Sequence, residues 1–120
     1  MGKPFIYVRS APKGHGLGNQ IEGSLPEGAK VVVVEDLVSP GVSSLSAVEA
    51  LRAAGAEVMG MVAIFTYGFP IASEAFAAAN VKLDTLSNYE TLIELAAAEG
   101  YVSSADMEFL TEWRKDPSKF

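Results

Sequence analysis

The chain has 120 residues, the size of one domain with a single hydrophobic core. Its net charge of −6 argues against a nucleic-acid partner, and the absence of cysteine excludes disulfides and thiolate metal sites. There is no basic start followed by an apolar core, and no apolar run approaches the ~20 residues of a membrane span. We therefore expect a cytoplasmic protein without a membrane partner.

Strand and helix patterns follow one another along the chain. Runs of β-branched and other apolar residues predict strands at 3–10, 30–36, 57–67 and 81–87. Helix starts are predicted at Ser43 or Ser44, Pro70, Tyr89 and Ser103. This order predicts βαβ units, so we expect an α/β fold with a Rossmann-like, open and mainly parallel sheet flanked by helices. Because the 30–36 strand does not alternate, we also expect both of its faces to be covered.

Residues 10–29 are rich in glycine and form a predicted flexible loop. A loop of this length within a compact domain is usually functional. It contains Lys13 and His15, which on residue type alone are better explained as solvated loop side chains than as functional groups.

The stretch "VVVVEDLVSPGVSSL" (31–45) carries the main functional signal. An apolar strand ends in Glu35 and Asp36, and a turn then leads into a predicted helix. The N–H groups and dipole at a helix start favour a phosphate, while the two carboxylates suit sugar hydroxyls or a Mg²⁺ ion held through water. The other interpretation, serines that cap the helix and acids that are solvated, has equal weight on the residues alone.

The same stretch resembles the phosphoribosyl pyrophosphate signature of type I phosphoribosyltransferases. In addition, "YVRSAPKGHGLGNQIEG" (7–23) resembles the catalytic loop of orotate phosphoribosyltransferases. Further segments, "GMVAIFTYGFP", "VKLDTLSNYETLIE" and "WRKDPSKF", resemble the C-terminal part of that enzyme family. The resemblance covers essentially all of residues 1–120, so a single domain with a truncated version of the family fold is expected.

This resemblance implies a role for each matching residue. Glu35 and Asp36 match the pair that contacts the ribose hydroxyls of phosphoribosyl pyrophosphate, and the loop from Ser39 through Gly41 to Ser43 matches its 5′-phosphate cradle. Catalytic roles fall on Arg9, which matches an arginine reaching the pyrophosphate, and on Lys13 and His15, which match residues acting on the leaving group. The family implies Mg²⁺ bound with the pyrophosphate, orotate as the second substrate, and a homodimer.

Three departures from the family predict impaired activity. The chain starts at what resembles the middle of the enzyme. The cradle carries Pro40, which lacks an N–H donor, and Val42, which is branched where a phosphate must approach closely. The catalytic loop has Ser10 and Ala11 where a second lysine is common, and Gly14 where an aspartate usually precedes the histidine.

Three functions therefore stay open on the sequence. The first is orotate phosphoribosyltransferase activity, which makes orotidine 5′-phosphate in pyrimidine biosynthesis. The second is a non-catalytic scaffold, natural or engineered, that self-associates and binds phosphate or nucleotide weakly if at all. The third is a hydrolase that pairs His15 with Ser10 or Ser39. It is the weakest, because a histidine between glycines is poorly held for that task.

Overall fold

The computed structural model describes residues 2–9 and 20–119, and its elements follow the predicted order. The strands are β1 (Tyr7–Val8), β2 (Ile21–Glu22), β3 (Lys30–Val38), β4 (Glu57–Thr66) and β5 (Leu83–Asn88). The helices are α1 (Val42–Ala53), α2 (Pro70–Ala78), α3 (Tyr89–Ala98) and α4 (Ser104–Lys115), and a 3-10 helix follows at Pro117–Lys119. The α/β class is confirmed.

Strands β3, β4 and β5 form a parallel sheet in the order β3-β4-β5, so β4 is its central strand. Strands β1 and β2 form a separate antiparallel ribbon. The predicted 3–10 strand is therefore much shorter than expected, and the predicted 10–29 loop contains β2. Both differences have one cause, because the two segments pair only with each other over two residues and do not join the main sheet.

Helices cover one face of the main sheet, and the hydrophobic core lies beneath them. Helix α1 packs on β3 and β4 and buries Val48 and Leu51, while α2 buries Ala72 and Phe76, which are four residues apart on one helix face. The buried core comprises Val38, Val48, Met61, Ala63, Phe69, Ala72, Phe76 and Val81.

The opposite face of the sheet is uncovered within the described residues. Five apolar side chains lie on it with exposed fractions of 41–86%, and we call them the open face: Val32, Val34, Val62, Ile64 and Leu86. The expectation that both faces of the 30–36 strand are covered is therefore wrong. The valine run supplies apolar side chains to both faces of β3, but the described helices pack on only one of them.

Several helix ends agree with their sequence signals. Pro70 occupies the first helical position of α2, and Ser103 forms a capping box with Asp106 at the start of α4. Gly55 follows α1 with a φ of 91°, a left-handed conformation that suits glycine. None of the helices that the structure describes is long and apolar enough to cross a membrane.

Candidate functional site

Glu35 and Asp36 lie near the carboxyl end of β3, as predicted. The strand continues to Val38, two residues beyond the predicted end, before the turn into α1. Glu35 pairs in register with Ala63 of β4, and Ala63 pairs with Thr85 of β5. The carboxylates thus lie toward the edge of a parallel sheet at which open α/β folds bind ligands.

Glu35 is held in place by the first turn of α1. The hydroxyl of Ser44 donates a 3.0 Å hydrogen bond to Glu35 Oε2, and the backbone N–H of Asp36 donates to Glu35 Oε1 over 3.2 Å. Ser44 is 3% exposed, so its hydrogen bond to Glu35 is largely shielded from water. The sequence-based assignment of Ser44 as a helix cap is therefore wrong, and its partner is the acid that precedes the turn.

The helix cap itself is Gly41, with φ 93° and ψ −2° and without a side-chain cap hydrogen bond. The helix begins at Val42 because this left-handed glycine turns the chain two residues before Ser43. Ser43 is therefore a first-turn residue, not a cap. A Cβ atom at Gly41 would lie 3.1 Å from Cε2 of the Phe76 ring, so the turn packs tightly on α2.

Asp36 is exposed and ionised more readily than an ordinary aspartate. The neighbouring Glu35 carboxyl, by hydrogen bonding, and the backbone N–H of Leu37 both lower the pKa of Asp36. The Leu37 N–H donates to Asp36 Oδ1 over 2.7 Å. At neutral pH Asp36 is thus an anion on the surface, suited to accept hydrogen bonds from hydroxyl groups.

The turn from Ser39 to Ser43 lies directly before the N-terminus of α1. Ser39 is half-buried, while Pro40 and Ser43 are exposed. Val42 is the first residue of the helix, and 76% of its surface is exposed. The first N–H groups of a helix lack intrahelical partners, so this turn offers donors to an anion. Pro40 and Val42 are part of this turn, and Pro40 itself supplies no N–H donor.

The side chain of Arg9 contacts residues of the β1-β2 ribbon. Its guanidinium donates to Glu22 over 2.9 Å and lies 5.9 Å from the centre of the Tyr7 ring. Within residues 2–9 and 20–119, its buried Nε has no hydrogen-bond partner. Gln20 of the ribbon donates to Ser46 of α1 over 3.2 Å, which ties the ribbon to the helix that follows the turn. Arg9 is thus part of the ribbon, where its ion pair with Glu22 holds the guanidinium.

The remaining catalytic candidates, Lys13 and His15, lie outside the described residues, as does Ser10. Their roles, and with them the hydrolase hypothesis, stay predictions.

The sequence did not predict aromatic residues as part of the site. An aromatic cluster lies beside the turn, with ring centroids 5.2–6.0 Å apart, and comprises Tyr67, Phe69, Tyr89 and Trp113. Tyr67, Phe69 and Trp113 line a cavity of about 710 Å³ that Ser39 and Pro40 also line. The aromatic residues of "FTYGFP" at the end of β4 were the available signal, since the carboxyl ends of parallel strands meet at one edge.

The described residues could hold a Mg²⁺ ion only together with a ligand that also binds the ion. No group of three or more acidic or histidine side chains that could hold a metal occurs in the described ranges. Mg²⁺ usually binds one or two carboxylates together with substrate phosphates, and ionised Asp36 beside Glu35 meets that need.

Comparison with known proteins agrees with this geometry. No protein-family model matches the chain. A solved orotate phosphoribosyltransferase from Aeropyrum pernix superposes with a TM-score of 0.66 and 32% identity, covering 79% of this chain and 51% of that one. The Mycobacterium tuberculosis enzyme, solved with phosphoribosyl diphosphate, gives a TM-score of 0.57 and 32% identity, covering 73% of this chain and 50% of that one. The sheet and its flanking helices therefore have the type I phosphoribosyltransferase fold.

Within that class, the sequence is homologous to orotate phosphoribosyltransferase, as the resemblance predicted. The Bacteroides fragilis enzyme is 60% identical over 115 residues, which cover 96% of this chain and 54% of that protein. The chain thus spans about half the length of the curated relatives it matches.

Proposed function

We propose that this chain supplies the phosphoribosyl pyrophosphate half-site of an orotate phosphoribosyltransferase. The reaction would transfer phosphoribosyl to orotate, giving orotidine 5′-phosphate and pyrophosphate. The observation that carries the proposal is the Ser44–Glu35 hydrogen bond, which fixes a strand-end carboxylate against a phosphate-type turn. Identity of 60% to a curated member supports the substrate, and so does a similar structure solved with phosphoribosyl diphosphate.

In the proposed mechanism the two carboxylates bind the sugar together. Glu35, oriented by Ser44, and exposed Asp36 accept hydrogen bonds from the ribose hydroxyls and fix the sugar for attack at C1. The turn from Ser39 to Ser43 binds the 5′-phosphate through first-turn N–H groups. Bound Mg²⁺ would neutralise charge on the pyrophosphate.

Arg9, Lys13 and His15 are the proposed groups for the leaving pyrophosphate. Cations placed where negative charge develops are usually the largest contribution to this kind of transfer. For Arg9 the described ion pair with Glu22 would have to yield part of its guanidinium to the substrate. The aromatic walls of the 710 Å³ cavity beside the turn suit a planar ring, and we assign orotate to it.

The test is calorimetric titration with phosphoribosyl pyrophosphate and Mg²⁺. We expect saturable binding that Asp36→Ala weakens at least tenfold, about 1.4 kcal/mol. Glu90→Ala removes an exposed carboxylate on α3 and should leave affinity unchanged. If neither the chain nor a Pro40→Thr, Val42→Gly variant binds, the proposal fails.

A second candidate is a non-catalytic scaffold, and the open face favours it because large exposed apolar patches mark association surfaces. We propose impaired turnover in either case, since Pro40 lacks an N–H donor and Val42 adds a branched side chain at the phosphate turn. An orotate-dependent assay separates the two. Formation of orotidine 5′-phosphate that depends on Asp36 supports the enzyme, and binding without turnover supports the scaffold.

A further inference from the structure

The C-terminal end of the described chain forms part of the aromatic cavity. Trp113 near the end of α4 lines this space of about 710 Å³, and so do residues 115–118, which lead into the 3-10 helix. We call residues 113–118 the strap. Ser39 and Pro40 of the phosphate turn line the same cavity. The strap and the phosphate turn therefore border one space, and that space keeps its walls only while the strap is docked.

Few apolar contacts hold α4, which carries most of the strap, on the rest of the molecule. None of the residues of α4 is buried, and its main contacts among the described elements are with α3 and the 3-10 helix. Segments with few buried apolar contacts open locally at a low cost in free energy, and elements that close over ligands are of this kind. Docking of the strap thus depends on a small number of individual contacts.

Two neighbouring side chains attach the strap to the segment that follows β4. The ring of Trp113 has its centre 5.5 Å from that of Phe69 and 6.0 Å from that of Tyr67. The next residue, Arg114, is half-buried and donates from Nη1 to the carbonyl oxygen of Gly68 over 3.2 Å. Hydrogen bonds from a charged donor are stronger than neutral ones, so Arg114 supplies a firm polar contact beside the aromatic one.

Gly68 has the backbone conformation that this contact requires. Its φ angle is 67°, and a Cβ atom there would lie 3.2 Å from Arg114 Nη1. Its N–H donates to Thr66 Oγ1 over 3.1 Å, which adds a second hydrogen bond at the same residue. Gly68 lies between Tyr67 and Phe69, two residues that line the cavity. Arg114 therefore holds the backbone that carries two of the aromatic walls.

We propose that Arg114 is a positioning residue that holds the strap against the segment after β4, and that Trp113 is a specificity-determining residue that selects a planar ring in the cavity. Aromatic rings favour stacked or edge-on contacts, and Trp113, Tyr67 and Phe69 offer three such surfaces. A ring bound among them adds contact area to the strap, so ring binding and strap docking favour each other. The inference rests on the proposed function for its ring ligand, orotate.

The test uses the fluorescence of Trp113, the one tryptophan of the chain. Titration with orotate should shift the emission of the unaltered chain along a saturable curve. Arg114→Met should move the emission of the ligand-free chain to longer wavelength, because the indole becomes more hydrated, and should raise the Kd for orotate at least tenfold. In calorimetry Trp113→Ala should raise this Kd as much, whereas Trp113→Phe should keep most of the affinity. Each variant should leave the Kd for phosphoribosyl pyrophosphate unchanged.

Two matched controls separate the contact between Arg114 and Gly68 from general effects of substitution. Arg52→Met also removes a guanidinium that donates to two backbone carbonyls, just after α2, and should change neither the emission nor the Kd for orotate. Gly68→Ala should act like Arg114→Met, since the new Cβ displaces the guanidinium. Gly100→Ala places alanine at a similar φ of 82°, but its Cβ meets nothing within 4 Å, so the Kd for orotate should not change.

The contrary outcomes overturn the proposal. One is that orotate leaves the emission of the unaltered chain unchanged, and another is that Arg114→Met and Arg52→Met have the same Kd for orotate. Circular dichroism verifies that each variant folds. If Arg114→Met does not fold, Gly68→Ala tests the same contact from its other partner.

The strap and the proposed half-site fail separately, because they are measured with different ligands. Calorimetry with phosphoribosyl pyrophosphate and Mg²⁺, without orotate, measures the half-site. Binding of phosphoribosyl pyrophosphate without any effect of orotate on Trp113 would reject the strap and leave the half-site standing. An effect of orotate that Arg114→Met abolishes, in a chain that does not bind phosphoribosyl pyrophosphate, would do the reverse.

Discussion

The Ser44 hydroxyl lies 3.0 Å from Glu35 Oε2, which joins the first turn of α1 to the strand that precedes it. We expect Ser44→Ala to lower the free energy of unfolding by about 1–2 kcal/mol, because it leaves a carboxylate oxygen without its partner. Affinity for phosphoribosyl pyrophosphate should also fall several-fold, as Glu35 loses its orientation. Urea denaturation and calorimetry measure the two effects. Ser73→Ala, at an exposed position on α2, should show neither.

Alanine substitutions at Gly41 and Gly28 distinguish the free-energy cost of backbone strain from the cost of a packing clash. Both have positive φ angles, 93° and 78°, but a Cβ at Gly28 meets nothing within 4 Å, whereas one at Gly41 lies 3.1 Å from Phe76. Gly28→Ala should destabilise the chain by about 1 kcal/mol through strain alone. Gly41→Ala should cost about 2–3 kcal/mol, because the ring of Phe76 must also shift. Equal losses in urea denaturation would contradict the packing contribution.

The pKa of Asp36 should depend on Glu35. Hydrogen bonding with Glu35 is the largest cause that lowers the pKa of Asp36 from 3.8, so Glu35→Ala should return it toward 3.8. Because the folded-state pKa is depressed, the ionised form favours folding above pH 3.8, and that contribution is lost as pH falls through the folded value. NMR titration of the carboxyl carbon follows the change. An unaltered midpoint in the variant would refute this coupling.

Tyr89 should tolerate loss of its hydroxyl. Tyr89 is buried, and its oxygen has no hydrogen-bond partner in the described part of the chain. Tyr89→Phe should therefore keep or raise the thermal midpoint, since it removes a desolvated polar group. Burial raises the pKa of Tyr89 above 10.0, so the unaltered chain should lose stability as pH rises past that value. The variant should lose less over the same range, and a lower midpoint at neutral pH would show that the hydroxyl is bonded.

Widening the phosphate turn should strengthen ligand binding. Pro40→Thr supplies an N–H donor, and Val42→Gly removes a side chain that is 76% exposed at the helix start. Together they should improve affinity for phosphoribosyl pyrophosphate about tenfold, worth ~1.4 kcal/mol. Thr91→Gly, which also introduces glycine into the first turn of a helix, should leave affinity unchanged. Weaker or equal binding by the double variant in calorimetry would show that Pro40 and Val42 do not limit the affinity.

Local signals were enough to predict the parallel α/β arrangement and the position of the two acids. Alternating strand and helix periods placed β3, β4 and β5, and Ser103 and Pro70 marked helix starts through chemistry within one turn. These features depend on residues that are close together in the sequence, so they can be predicted from one sequence alone.

Features that depend on distant contacts could not be predicted. Residue type predicts Ser43 or Ser44 as the cap of α1, whereas Gly41 takes that position and Ser44 bonds to Glu35. The valine run was interpreted as covered on both faces, and periodicity cannot tell which elements do the covering. The aromatic cluster joins β4 to α4, and only the tertiary fold brings Trp113 to Tyr67.

Strand β3 carries both the exposed Val34 and the candidate ligand residue Glu35. Adjacent residues of a strand face opposite ways, yet they share one backbone, so a displacement of either one moves the other. Binding on the open face that displaces the strand would therefore also displace Glu35. If a polypeptide bound on the open face raises affinity for phosphoribosyl pyrophosphate by some factor, phosphoribosyl pyrophosphate must raise affinity for that polypeptide by the same factor. Substrate supply would then govern assembly as much as assembly governs substrate binding.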